Sequence, residues 1–154
     1  MPIDASFAGR TYPPTEPYEV GLEKIREFAD ALGDDNPAYR DREAAAVLGH
    51  PDVIAPPTFP FVLTFRASRR LIEDPELGID YSRVVHGEQR FAHTRPVRAG
   101  DSLTVTVTLE KVQSAGGHDM LTSRSDVATV AGEHVVTAWS TLVVRGLVVR
   151  GDGP

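Results

Sequence analysis

The chain has 154 residues, 41% of them hydrophobic and 25% charged, with a net charge of −6 and no cysteine. That length suits one domain with a real core, and a single domain is expected over 1–154, with 146–154 as a flexible tail. The lack of cysteine excludes disulfide frameworks, thiolate metal sites and cysteine nucleophiles, and the acidic balance excludes the basic surface of a nucleic-acid binder.

The start, MPIDASFAG, lacks the basic residues and apolar stretch of a secretory signal, and no apolar run approaches the roughly 20 residues of a membrane span. A cytoplasmic protein without a membrane partner is expected. Prolines crowd YPPTEPYEV, 12 to 20. Each one removes a ladder donor, so this stretch predicts an edge strand or arm. From Leu22 the apolar residues Leu22, Ile25, Phe28, Ala29 and Leu32 recur at helical spacing, and Gly33 can cap that helix. The stretch DREAAAVLGH then suits a short helix ending at Gly49.

The segment IAPPTFPFVLTFRASRRLIEDP carries the longest apolar stretch. Thr58 is the expected N-cap, with Pro60 in the first turn. Phe61, Val62, Leu63 and Phe65 occupy most sides, which predicts a helix buried by a sheet. Everything downstream reads as strand. In SLTVTVTLEKV the residues Leu103, Val105, Val107 and Leu109 alternate with threonines, giving one wet face. AGG at 115 to 117 is a turn, and the chain returns through DMLTSRSDVATV. The last strand, EHVVTAWSTLVVRGLVVR, is apolar on both faces, so it is interior or at a subunit contact. Helices followed by an antiparallel sheet define an α+β fold.

The segment GDDNPAYRD, 33 to 41, carries a resemblance. It is similar to the signature G-D-x-N-P-x-H-x-D of the MaoC-like hydratases and dehydratases. Every fixed position matches except the histidine, which is Tyr39. The run VVHGEQRFAHTRPVRAGDSL, 84 to 103, resembles the dehydratase domains of the same superfamily, in which H-G-E-Q starts a strand and P-x-x-A-G-D makes the next turn. The likeness covers roughly residues 8 to 145.

The resemblance implies a hot-dog fold, an antiparallel sheet wrapped around a long central helix. It also implies an acyl-CoA or acyl-ACP thioester as substrate, near a dimer contact. The family adds water reversibly to a trans-2-enoyl thioester to give a (3R)-hydroxyacyl thioester. A carboxylate and a histidine around one water can share the proton transfers, and a backbone N–H at a helix start can hold the enolate oxygen. On this pattern Asp34 is the acid/base carboxylate, Asn36 the orienting amide and Tyr39 the degenerate histidine position. Tyrosine, with an ordinary pKa near 10 against about 6.5 for histidine, is a poor proton acceptor at neutrality. In a regular helix positions 34 and 39 would lie about 140° apart, so Pro37 must bend the chain for them to converge.

A second departure lies before the central helix. Where catalytic members read A-H-G-M, this chain has Ala55, Pro56, Pro57 and Thr58. A proline at the glycine position removes the thioester-oxygen donor, leaving Thr58 as the substitute. Loss of one such donor typically costs about 10²- to 10³-fold in rate. Pro57, Thr58 and Gln89 are the expected substrate contacts. His86, beside Glu88 and Gln89, is the one candidate replacement base. The two departures resemble the non-catalytic partners of the actinobacterial (3R)-hydroxyacyl-ACP dehydratases of HadA and HadC type.

Three readings stand at this point. The first is the substrate-shaping half of a heterodimer with a catalytic hot-dog subunit. The second is a binding-only homodimer. The third is an active homodimeric hydratase using Asp34 with His86 or Tyr39. His50, His93, His118 and His134 show no metal spacing, so neither a metal nor a cofactor is expected.

Overall fold

The computed structural model describes residues 2–146. Positions 147–150, expected to continue the last strand, and the expected tail beyond them lie outside the described residues. Three helices come first: α1 (Leu22–Leu32), α2 (Arg42–Val47) and α3 (Phe61–Ile72). Five strands form one sheet: β1 (Tyr18–Glu19), β2 (Val84–His93), β3 (Ser102–Ala115), β4 (His118–Thr129) and β5 (His134–Val144). The spatial order is β1-β3-β4-β5-β2, antiparallel throughout. Among the described residues no helix is long and apolar enough to cross a membrane.

Helix α1 buries Ile25 and Ala29, two members of its periodic apolar stripe. Gly33 ends it at φ 69°, a left-handed position that glycine adopts without steric cost, and its N–H reaches back to the last carbonyls. Asp41 caps α2 by accepting from the amides of Glu43 and Ala44 at 2.7 and 3.2 Å. The β3–β4 hairpin turns on Gly116 and Gly117, both at positive φ as a tight two-residue turn needs.

Two expectations about α3 are corrected. Thr58 is not its N-cap: Pro60 holds that position, and no side chain caps the helix. A cap at Thr58 would serve the amides two or three residues on, but Pro60 has no N–H, and the Phe61 N–H already donates to the Thr58 carbonyl at 3.1 Å. Nor is α3 covered all round. Leu63, Thr64, Ala67 and Leu71 face the sheet, whereas Phe61 and Phe65 are 36% and 48% exposed. The stretch after α3 is also not all strand, since Tyr81–Arg83 makes a single 3-10 turn before β2.

The core lies between α3 and one face of the sheet. Leu103, Val105, Val107 and Leu109 supply it from β3, as their alternation with threonine predicts. Strand β5 runs between β4 and β2; Val136, Ala138 and Val144 are buried on one face, whereas Trp139 and Val143 on the other are half-buried. The P-x-x-A-G-D turn is fastened by Arg95, whose guanidinium donates to both oxygens of Asp101 at 2.9 Å. Asp101 also accepts from the Arg98 amide.

The two sheet edges differ. Beside β1 the proline-rich arm donates from the amides of Tyr12 and Thr15 to the carbonyls of Val107 and Val105. Its far side is tied to the end of α3, where Arg10 and the Tyr12 hydroxyl donate to Asp74 at 2.8 and 2.7 Å. Strand β2 forms the other edge over ten residues, interrupted by a bulge between His86 and Glu88. Gly87 sits in that bulge, where a Cβ would meet the Thr141 carbonyl oxygen and a Val143 methyl at 3.3 Å.

Candidate functional site

The sequence singles out two groups of residues, and the structure places them apart. Asp34, Asn36 and Tyr39 form one group on a bent loop. The Asn36 carboxamide oxygen accepts from the Ala38 amide at 3.0 Å, capping a 3-10 turn over Pro37–Tyr39. Asp34 accepts from the Asn36 amide at 3.1 Å. These are local Asx-type bonds, so one oxygen of each side chain is already engaged by backbone. The loop is held from outside by Arg26, which donates to the Arg40 carbonyl, and by Arg40, which reaches both Asp30 and the Asn36 carbonyl.

The tight turn does what a regular helix cannot and brings position 39 back toward position 34. Tyr39 is 8% exposed and belongs to the hydrophobic core. Burial pushes its phenol above the ordinary tyrosine value, the Asp34 carboxylate pushes it further, and the Asn36 side chain pulls the other way. A phenol held neutral in this way donates a hydrogen bond and does not accept a proton near neutrality.

At the entry to α3, Pro57 and Thr58 lie in an exposed turn. The Pro57 carbonyl is bonded to the His93 ring Nε2 at 2.8 Å. Pro56 and Pro57 have no N–H, and the Phe59 amide is taken by the Pro56 carbonyl. The Thr58 N–H is the first amide on offer there, and it makes no hydrogen bond among the described residues.

His86 and Gln89 belong to the second group. They line a cavity of about 160 Å³ between α3 and strands β4, β5 and β2. His86 bonds through Nε2 to the Ser140 hydroxyl at 3.0 Å and packs 6.0 Å from the Phe61 ring. Asp34 and Tyr39 are not among the cavity's lining residues. Within one chain, His86 thus lies on the cavity wall and Asp34 on the motif loop, whereas a shared acid/base pair requires both at one water. Sequence reasoning missed Thr64, Ser123, Ser125 and Ser140 on the cavity wall. Ser123 and Ser125 stand on the same strand face as Leu121 and Val127, and that parity is the signal that could have found them. Among the described residues no cluster of histidine and carboxylate side chains could hold a metal.

Comparison with known proteins fits this geometry. A family model described as FAS1-like, dehydratase domain region, matches residues 6–138. A UPF0336 protein of Streptomyces coelicolor is 66% identical over 145 residues, spanning 94% of this chain and 97% of the relative. Among solved structures, the C-terminally truncated HadBC (3R-hydroxyacyl-ACP dehydratase) complex from Mycobacterium tuberculosis gives a TM-score of 0.80 at 34% identity. That match covers 89% of this chain and 96% of the other. A MaoC-like dehydratase gives a TM-score of 0.85 at 35% identity, over 92% of this chain and 43% of that one. The sheet, the helix it packs on and the motif loop thus define a hot-dog protein of hydratase and dehydratase type. The chain belongs to the MaoC-like, FAS1-like dehydratase family.

Proposed function

We propose that this chain is the substrate-shaping, catalytically degenerate subunit of a (3R)-hydroxyacyl thioester dehydratase. In this reading a second hot-dog subunit carries the intact aspartate and histidine. The observation that carries it is Tyr39, a buried phenol held neutral where the family's histidine would take a proton. Hydration needs a group that accepts a proton from water as hydroxide attacks Cβ, and an acid that delivers one to Cα. Asp34 alone supplies a single carboxylate for these two transfers, and Pro57 cannot donate to the thioester oxygen.

A second subunit has a surface to meet. Strand β2 is an open edge with Val85 41% exposed, beside the exposed rings of Phe61 and Phe65. Such an edge invites strand pairing. The HadBC dehydratase is itself a complex, which supports pairing with a second hot-dog chain. The acyl thioester, on CoA or on acyl carrier protein, is the substrate that the same likeness supports.

The test is hydration of a trans-2-enoyl thioester, followed by loss of enoyl absorbance. The purified chain is expected to give no turnover above buffer. Addition of a hot-dog subunit with an intact D-x-N-P-x-H motif is expected to give turnover well above that subunit's own. Substantial turnover by the chain alone would move the chemistry to other residues of this chain, with His86 the first to substitute. A mixture no faster than the added subunit would remove the partnership.

A further inference from the structure

The cavity under α3 is not lined as an aliphatic pocket would be. Across three neighbouring strands, Ser123 stands beside Ser140, and Ser140 beside Gln89, all on the cavity side. Ser125 lies one step along β4, and Thr64 closes the row from α3. Leucine and valine flank this belt on the same face, Leu121 beside Leu142 on one side and Val127 beside Val136 on the other. Thr64, Ser123 and Ser125 are 6%, 4% and 4% exposed.

Their hydroxyls line the cavity without a protein partner among the described residues, and the Gln89 Nε2 beside them is buried without one. An unsatisfied buried polar group typically costs about 1–3 kcal/mol, so the Gln89 amide, with three hydroxyls open to the same cavity, is better served when something bonds to it. No carboxylate, lysine or arginine lines the cavity among the described residues. His86, bonded to Ser140, is the one basic side chain on the wall among the described residues, so the lining suits a neutral occupant. The mouth is apolar, with the exposed rings of Phe61, Phe65 and Tyr81.

We propose that this cavity selects acyl chains bearing a neutral oxygen function, a hydroxyl or keto group part-way along the chain, over plain aliphatic chains of equal length. The inference rests on reading the chain as an acyl-thioester protein. An apolar tail crosses the aromatic mouth while its oxygen meets the serine, threonine and glutamine belt. A plain chain would leave the same groups unpaired, and that mismatch is the physical origin of the preference.

The experiment uses the full chain and N-acetylcysteamine thioesters of decanoic acid and of hydroxydecanoic acids with the hydroxyl walked from C5 to C9. Binding is read by calorimetry. At least one hydroxylated chain is expected to bind roughly ten-fold tighter than decanoyl, as one or two good neutral hydrogen bonds give. The triple variant Thr64→Val, Ser123→Ala, Ser125→Ala is expected to lose that margin and to bind decanoyl at least as well as before.

Equal binding of plain and hydroxylated chains by the unaltered protein would overturn the inference while leaving the dehydratase reading intact. So would a triple variant that stays folded and keeps the discrimination, which would mark the belt as filled by water only. No binding of any thioester, plain or hydroxylated, would instead strike the dehydratase reading itself.

Discussion

The motif loop and the cavity wall are both rich in small polar residues, yet they treat them in opposite ways. In the loop, Asp34 and Asn36 turn an oxygen onto neighbouring amides, and the arginines around them close the remaining carbonyls. In the cavity wall, the Gln89 Nε2 is buried without a partner among the described residues, and the hydroxyls of Thr64, Ser123 and Ser125 face the cavity beside it. Polar groups that bond to their own backbone contribute local stability, whereas unpaired ones in a cavity wait for a ligand. A recognisable motif and a working site thus need not coincide. The loop carries the family signature, and the cavity carries the unmet hydrogen-bonding capacity.

The contrast can be broken most forcefully at Tyr39. If the loop is now structural, Tyr39→Ala is expected to cost about 3 kcal/mol, the usual loss for a buried aromatic. For a chain of this size that lowers the thermal midpoint by about 10 °C. A shift of only a degree or two would mean that the phenol is held for something other than packing. Asn36→Ala comes next, with an expected loss of about 1 kcal/mol from the missing cap, measured by urea unfolding. Full stability in that variant would show that the Asn36 oxygen is not engaged as the geometry requires.

The smallest effect sits on the Tyr39 hydroxyl. Its folded pKa is raised, so the neutral phenol favours the folded state. That contribution is fully present below the unfolded value near 10 and is lost as pH climbs through the higher folded one. Tyr39→Phe is therefore expected to stay within about 1 kcal/mol of the unaltered protein at neutral pH. It is also expected to soften the alkaline unfolding that begins above about pH 10. Identical alkaline unfolding in both proteins would place the decisive titration elsewhere.

Much of the architecture was legible because it rests on short-range patterns. The helical spacing from Leu22 to Leu32 and its stop at Gly33 need only the neighbouring residues, as do the alternation in β3 and the Gly116–Gly117 turn. Thr58 has the residue type of an N-cap, but Pro60 removes one of the two amides it would cap, a relation that residue type alone does not show. Phe61 and Phe65 stay exposed because hydrophobicity does not say which side of a helix the sheet will cover. The Asp34, Asn36 and Tyr39 grouping came from a family likeness. The polar belt lay hidden for another reason. Ser123 and Ser140 come together only when β4 and β5 pair in their native register, which no single stretch of sequence states.

The unequal sheet edges carry one more consequence. A protein with two bare edges can add copies without end, which is the route to ribbons and fibrils. Here the β1 edge is only two residues long, preceded by prolines and overlaid by an arm pinned to Asp74, so among the described residues only the β2 side is open to another strand. Growth by strand addition has a single valence, and any assembly built that way stops at two chains.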